Sequence, residues 1–213
     1  MTIKLNGSTA GSVALDAPAS TTGNADIQFK LPVADGSAGQ FMKTDGSGNL
    51  AFASVATPVS PLFTNYAVIN DSKAYNVNGG TFSSGDWRQR DLNTEVFDPD
   101  SIVSISNNQF TLQAGTYYIR AQAPAYRVDM HHIRLQNMTD STTAGVGSVG
   151  MSSSSFASIT LSLLTTRFTI SSAKVFEIQH RCSTTHSSYG KGISHGISGT
   201  DSIYTIVEIY KES

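Results

Sequence analysis

Histidine and cysteine, the residues best suited to bind a metal or attack a carbonyl carbon, occur in two short pairs. His131 and His132 are adjacent, and His180 lies two residues before Cys182, the single cysteine. Adjacent residues of a strand point to opposite faces of a sheet, so His131 and His132 cannot share one ion from a regular strand. We expect one of these two histidines in the core or at an interface and the other at the surface.

His180 and Cys182 have the same parity as two apolar residues, Phe176 and Ile178, which predicts that all four face a core or an interface. A cysteine–histidine nucleophile also needs an orienting third group, and no oxyanion motif accompanies this pair. We therefore interpret Cys182 as a small buried apolar residue. A single cysteine also excludes an intrachain disulfide and a CxxC zinc site.

Carboxylates are scattered along the chain. A hydrolase would need an acid pair or a nucleophile in a cleft, and Asp129, Glu177 and Glu208 give this alternative little support because they lie far apart in sequence. Asp98 and Asp100 fall in a turn and do not have the spacing of an EF-hand loop. The sequence therefore predicts no enzyme, no metal site and no cofactor.

Aromatic residues are better candidates, for recognition rather than for catalysis. His186 and Tyr189 lie in a Ser- and Gly-rich loop, residues 183–201, and loops on rigid β scaffolds often carry binding sites. A tyrosine there could stack on a sugar ring. With Trp87 and Tyr126 they make up the receptor-binding candidates. The alternatives are a flexible loop without a partner and a Trp87 that packs at the edge of a sandwich.

The composition favours strands and an uncharged surface. Charged residues make up 14% of the 213 residues, against about 25% in ordinary domains, and Ser and Thr make up roughly a quarter. Thr suits strands, and both residues compete with helical hydrogen bonds. A net charge of −2 argues against nucleic-acid binding. The sequence has no apolar run long enough for a membrane span and no apolar leader, so we expect synthesis in a cytosol.

Residues 1–55 differ in composition from the remainder. Two similar turn sequences, at 35–39 and 45–49, combine Asp or Asn with Gly, as tight turns require. The short apolar alternations between them are too small to bury a core, so we interpret this region as a β-rich stalk or docking arm. A flexible tail is the alternative. Residues 56–61, with Pro58 and Pro61, predict a stiff linker.

Residues 62–213 predict an all-β sandwich, and in the segment 157–170 a switch of parity at Leu163-Leu164 predicts a bulge or a break into two strands. The other predicted strands cover 66–70, 86–92, 102–106, 109–113, 116–123, 129–137, 174–182 and 203–210. The last strand has apolar residues on both faces, so one face should meet another copy of the chain. The trimer-interface candidates are Tyr204, Ile206, Tyr210 and Phe168.

The stretch 108–119, NQFTLQAGTYYI, resembles the central signature of the C1q/TNF-like jelly-roll superfamily. The strands at 134–137, 157–170 and 174–180 and the final strand follow in the same order. The run 121–126, together with 180–185, resembles the C1q-like heads of phage fibres, and 35–52 resembles stalk segments of marine phage fibre proteins. The resemblance covers about 65–210, and more weakly 1–55. It implies a ten-stranded jelly roll that forms homotrimers and binds proteins or glycans without enzymatic activity.

The resemblance also predicts a place and a role for the protein. We expect a trimeric tail-fibre or appendage head on the virion surface that contacts a glycan or protein of the host, synthesised in the bacterial cytoplasm. Residues 1–55 would dock on other virion proteins. The alternative is a capsid decoration (cement) protein whose trimer stabilises the shell.

Overall fold

The structure is a computed structural model that describes residues 3–6, 9–15, 18–55 and 62–212, and only the backbone of 13–15. The chain divides into two compact units, Met1–Val59 and Ser60–Ser213. The predicted linker, residues 56–61, lies outside the described residues, and its stiffness stays a prediction.

The first unit consists of two antiparallel hairpins. Strand β1 (Ile3–Asn6) pairs with β2 (Ser12–Leu15), and β3 (Gln40–Thr44) pairs with β4 (Leu50–Ser54); a single 3-10 turn spans Thr22–Asn24. No side chain described in this unit is buried, and Leu5, Phe29 and Leu31 are all more than half exposed. In one copy of the chain, these apolar side chains therefore have no core of their own.

The turn predicted at 45–49 is confirmed, and hydrogen bonds to the Asp45 side chain stabilise it. The Asp45 carboxylate accepts hydrogen bonds from the Ser47 amide at 2.8 Å, from the Asn49 amide at 3.2 Å and from Asn49 Nδ2 at 2.6 Å. These bonds, above all that of the Asn49 side chain, hold the pKa of Asp45 below its ordinary value. Gly46 and Gly48 have φ of 82° and 88°, which a side chain would disfavour.

The second unit is a sandwich of two antiparallel sheets. The first sheet has the order β14-β10-β16-β5-β7 and the second β12-β11-β15-β9-β8, with β13 paired to β11 and β6 to β15. The strands are β5 (Phe63–Lys73), β6 (Arg88–Gln89), β7 (Thr94–Phe97), β8 (Val103–Ser106), β9 (Gln109–Leu112), β10 (Gly115–Tyr126), β11 (Asp129–Asn137), β12 (Thr142–Val146), β13 (Gly150–Ser152), β14 (Ile159–Ile170), β15 (Lys174–Cys182) and β16 (Ser202–Glu212). Twelve strands in one five-stranded and one seven-stranded sheet confirm the predicted all-β sandwich.

The core lies between the two sheets and is apolar. The side chains of Tyr117, Ile119, Phe110 and Phe176 are fully buried there, and the rings of Phe110 and Phe176 stack with centroids 5.8 Å apart. The Tyr117 hydroxyl satisfies its polar atom by donating to the Gln113 carbonyl at 2.9 Å. Burial of these large side chains is the main source of stability of the sandwich.

The bulge predicted at Leu163-Leu164 is wrong. Strands β10 and β14 pair residue by residue from Gly115 with Ile170 to Tyr126 with Ile159, without a shift. Leu164 therefore points into the core, whereas Leu163 points outward and is 52% exposed. Two adjacent apolar residues reflect a strand that is apolar on both faces, so no bulge is needed.

A bulge lies instead in β16, where sequence analysis expected regular alternation. Ile203 pairs with Ser72 and Ile206 pairs with Asn70, so two residues of β16 face one residue of β5. One extra residue reverses the parity of the strand. Tyr204 consequently points inward and is buried, and Ile203 points outward.

Sequence analysis missed strands β7, β12 and β13, and the predicted strand 86–92 is reduced to β6. Strand β12 carries Ala144 and Gly145 in place of large apolar residues, because the chain passes close to β14 there. A Cβ at Gly145 would lie 2.7 Å from Cβ of Thr166.

Among the described residues, no helix has the length and apolar character needed to cross a membrane.

Replacing Leu164 by Ala removes methyl groups from the core, so we expect the free energy of unfolding to fall by about 2–5 kcal/mol in urea denaturation. Met130→Ala, at a half-exposed position on the outer face of the second sheet, is the control and should change it by less than about 1 kcal/mol. Equal losses for the two variants would contradict the unbroken register of β14.

Candidate binding surfaces

The outer face of the first sheet is apolar. Leu161 and Leu163 project from β14 with 47% and 52% of their surface exposed, and Ile206 and Val68 project from β16 and β5. A shallow depression of about 200 Å³ in the middle of this face is lined partly by Leu163 and Ile206. We call this surface, from β14 to β7, the apolar face.

Five aromatic rings cover one end of the apolar face. Their centroids lie 4.7–5.9 Å apart in successive contacts among Phe63, Tyr66, Phe97, Tyr118 and Tyr210. Burial, with a smaller effect of the neighbouring Tyr210, raises the pKa of Tyr66. The rings come from four strands of the first sheet, so the sheet itself assembles the cluster.

Charges on the apolar face are paired with each other. Arg120 Nη1 lies 3.2 Å from Glu208 Oε2, and Arg167 Nε lies 2.6 Å from Glu212 Oε1. Exposed pairs of this kind contribute little to the stability of a single chain. Because each of these arginines is paired with a glutamate, the apolar face has no net charge at these positions.

The outer face of the second sheet combines a polar network with exposed apolar side chains, such as Met130 at 48% and Met151 at 62% exposure. Glu177 accepts hydrogen bonds from the amide groups of Gln89 and Gln109, both at 2.8 Å, and from Gln179. The guanidinium carbon of Arg134 lies 4.2 Å from the centre of the Trp87 ring, as in a cation–π contact. Polar groups on this face are therefore satisfied by one another.

The trimer-interface candidates divide into two pairs. Ile206 and Tyr210 lie on the apolar face, and their place in a trimer interface stays a prediction. Tyr204 does not: the bulge turns it inward, and its hydroxyl donates to the Val77 carbonyl of the same chain at 2.8 Å. Phe168 also points inward, because its ring packs 5.1 Å from that of Phe176 in the core. These two residues are corrected from interface to interior positions.

Three of the four receptor-binding candidates come together. The ring of Tyr126 at the end of β10 lies 5.5 Å from that of His186 and 6.3 Å from that of Tyr189, and His186 and Tyr189 lie 5.4 Å apart. We call these three residues the aromatic patch. Trp87 is not part of it, since its ring stacks on His132 at 4.9 Å.

Backbone hydrogen bonds hold the loop that carries the aromatic patch. Phe82 and His186 exchange two bonds of 3.0 Å each, and the Tyr126 amide donates to the Gly190 carbonyl at 3.0 Å. Further along, the Lys191 amide donates to the Gly80 carbonyl at 3.0 Å. The part of the loop around His186 and Tyr189 is therefore fixed to the sandwich.

A buried ionic network lies beneath this loop, and sequence analysis did not predict it. Arg90 is fully buried and donates to Thr205 Oγ1 at 2.9 Å and to the Lys191 carbonyl at 2.8 Å. Burial lowers the pKa of Arg90 to about 10. Charged residues are rarely buried without partners. Here the hydrogen bonds of Arg90 fix the loop at Lys191 to strand β16.

Carboxylates balance the cations of this network. Burial acts to raise the pKa of Asp91, but contacts with Lys73 at 2.8 Å and Lys191 at 3.1 Å outweigh it and hold that pKa below its ordinary value. Asp71 is fully buried, and burial raises its pKa although Lys73 Nζ lies 3.0 Å away. The network thus links β5, the segment after β6, and the loop.

The histidine pair is confirmed as one interior and one more exposed residue. His131 is buried, and its Nδ1 lies 2.9 Å from His180 Nε2 while its Nε2 lies 2.7 Å from Thr160 Oγ1. Burial, reinforced by the Arg90 charge, lowers the pKa of His131 to about 4 and that of His180 well below its ordinary value. Both rings are neutral at pH 7.

The other two candidates for reactive residues, Cys182 and Asp129, form hydrogen bonds within the fold. Cys182 is buried, its Sγ donates to the Thr184 carbonyl at 3.3 Å, and burial raises its pKa to about 11, so it is a thiol at neutral pH. Asp129 accepts from the Ser154 amide and from the Thr184 hydroxyl. Within the described part of the chain, no three His, Cys, Asp or Glu residues are grouped as metal ligands.

The sequence matches no family model and no curated protein. Among solved structures, it is similar to murine APRIL crystallised at pH 5.0, with a TM-score of 0.45 and 10% identity over 68% of this chain and 98% of that chain. It is also similar to the globular domain of the zebrafish complement 1qA protein, with a TM-score of 0.41 and 12% identity over 70% of this chain and 97% of that chain.

Acid should destabilise the fold through the buried histidines. An unfolded histidine binds a proton below about pH 6.5, whereas folded His131 does so only near pH 4. The contribution of the neutral histidines to the free energy of unfolding should therefore be fully present above about pH 6.5. It should fall as the pH drops toward 4, by up to about 1.4 kcal/mol per pH unit for each histidine. Urea denaturation at pH 7, 6 and 5 measures this loss.

His131→Gln should reduce the loss of stability between pH 7 and pH 5, because one of the two groups no longer titrates. His195→Gln, which makes the same replacement in the exposed part of the loop, is the control for the substitution itself. An unfolding free energy of the unmodified chain that stays constant from pH 7 to pH 5 would rule out neutral buried histidines.

Proposed function

We propose that this chain is a non-enzymatic binding head that assembles as a homotrimer through its apolar face. The observation that carries the proposal is the exposure of Leu161, Leu163 and the aromatic rings around Tyr210 on a sheet whose other face already covers the core. Contiguous apolar surface of this kind marks an interaction site, and its burial is favourable in proportion to the area removed from water.

The occupant that we propose is a second copy of the same chain. The charges of Arg120 and Arg167 are already paired with Glu208 and Glu212 on the same face, so a partner need not supply counter-charges. Cyclic symmetry is the usual way in which one chain covers its own apolar surface. Three copies agree with what the C1q-like resemblance of residues 108–119 implies.

The polar groups around Glu177 are already satisfied within the chain, so this part of the second sheet needs no partner. Three heads held together would present three aromatic patches on one particle. Multiple weak contacts then combine into strong attachment, provided that the ligands can be reached simultaneously. A binding head of this kind needs no covalent chemistry.

We place this trimer on the outside of a phage particle, as a tail-fibre or appendage head that contacts the host. The support is the resemblance of residues 121–126, 180–185 and 35–52 to phage fibre sequences. The exposed apolar side chains of the first unit, including Leu5 and Phe29, suit an arm that packs against copies of itself or against another virion protein.

A charge placed on the apolar face should separate the copies. We expect Leu163→Asp and Ile206→Asp to shift the mass in sedimentation equilibrium from three chains toward one, because each trimer would bury several unpaired carboxylates. The far-UV circular dichroism of the variants should remain that of a β protein, since both side chains point away from the core.

Met130→Asp is the matched control, because Met130 is exposed to a similar degree on the outer face of the second sheet. It should leave the mass at three chains. If Met130→Asp dissociates the assembly and Leu163→Asp does not, the interface lies on the second sheet and the proposed use of the apolar face is wrong.

Antibodies against residues 62–213 test the placement on the particle. Electron microscopy of labelled virions should show the label at the tail. Label spread over the shell would instead support the capsid decoration alternative, and particles without any label would contradict a virion role.

A further inference from the structure

The two tyrosine hydroxyls of the aromatic patch have no hydrogen-bond partner within the described part of the chain. By contrast, the neighbouring Thr185 and Thr81 hydroxyls accept hydrogen bonds from the Ser84 and Ser188 amides. Tyr189 is 39% exposed, and Tyr126 and His186 are partly exposed. The patch therefore offers two hydroxyl groups and the surfaces of its rings to a ligand.

The tautomer of His186 adds an acceptor to the patch. Its Nδ1 lies 2.7 Å from the Ser187 carbonyl, and a carbonyl can only accept, so the proton of the neutral ring is on Nδ1. The Nε2 atom then carries a free lone pair and has no hydrogen bond among the described residues. A ligand that donates a hydroxyl proton would satisfy it.

The neighbours of the patch are rich in hydroxyl groups, and Arg88, which is near this segment, donates to the Ser83 and Ser84 carbonyls. No ion pair, cation–π contact or hydrogen bond joins a charged side chain to the three rings in the described part of the chain. Ser187 and Ser188 flank His186, and Thr185 contacts Ser84 with their hydroxyl oxygens 3.0 Å apart. A charged ligand that stacks on the three rings would lose hydration without a charged side chain bonded to them.

From these features we infer that the aromatic patch binds a neutral pyranose ring of a surface glycan. The inference rests on the proposed binding function and names its ligand. The C–H face of the sugar would stack on the ring of Tyr189, which is the most exposed of the three. The sugar hydroxyls would bond to the Tyr126 hydroxyl and to His186 Nε2.

The patch is also rigid enough to select a ring. The paired backbone bonds between Phe82 and His186, and the bond from the Tyr126 amide to Gly190, hold two of its residues in place without the ligand. The buried Arg90, bonded to the Lys191 carbonyl, anchors the next residue of the loop. Preorganisation of this kind lowers the entropy that binding must overcome.

Saturation-transfer NMR with the full chain tests the inference. The probes are the methyl pyranosides of glucose, galactose, mannose and N-acetylglucosamine, one at a time. We expect at least one to bind with a dissociation constant of roughly 1–10 mM, as suits a ligand of so few atoms. Tyr189→Ala should weaken that binding about tenfold, and Tyr189→Phe, which keeps the ring, should weaken it less.

Tyr75→Ala is the control, because Tyr75 is an exposed tyrosine whose hydroxyl bonds to the Gly196 carbonyl away from the patch. Sugar binding should be unchanged in this variant. The inference is overturned if no pyranoside binds, if binding survives in Tyr189→Ala, or if a proline-rich peptide binds instead and is lost in that variant.

Light scattering on the same samples separates this inference from the proposed assembly. If the protein is a trimer but binds no sugar, the glycan site is wrong and the proposed trimeric assembly is unaffected. A monomer that binds sugar through Tyr189 overturns the trimer and leaves the site.

Discussion

The unbroken pairing of β10 with β14 is the constraint on which the sandwich depends. Twelve residues of each strand are paired without a shift, from Gly115 with Ile170 to Tyr126 with Ile159. A shift of one residue would exchange Leu164 in the core for Leu163 on the outside. The same register places Tyr126 at the end of β10, where the loop after β15 reaches it. Core, apolar face and aromatic patch therefore depend on one pairing.

A two-sheet sandwich has one core, yet this sequence supplies apolar side chains for more than one buried surface. The first sheet covers the core with residues such as Ile119 and Leu164 and still presents Leu161 and Leu163 outward. The outer face of the second sheet has the hydrogen-bond network of Glu177 beside exposed side chains such as Met130 and Met151. The aromatic cluster around Tyr210 is what distinguishes the first sheet, and it is the reason why we propose assembly through that face.

The alternation of apolar and polar side chains made the fold predictable. It could not predict features that depend on packing between residues far apart in sequence. Period-two patterns located most of the long strands and the interior positions of His180 and Cys182. They could not reveal the bulge that turns Tyr204 inward, because a bulge leaves the composition of β16 unchanged. Arg90 looked like a surface residue for a similar reason: its partners, Thr205 and Lys191, lie more than one hundred residues away in sequence.

The most direct test of this account is the solution mass of the unmodified chain, measured by light scattering over a range of protein concentrations. The account predicts three times the chain mass of 22.6 kDa, held as the protein is diluted, because the apolar face must be covered. A mass of one chain at every concentration would contradict it, and Leu161 and Leu163 would then be exposed without an occupant.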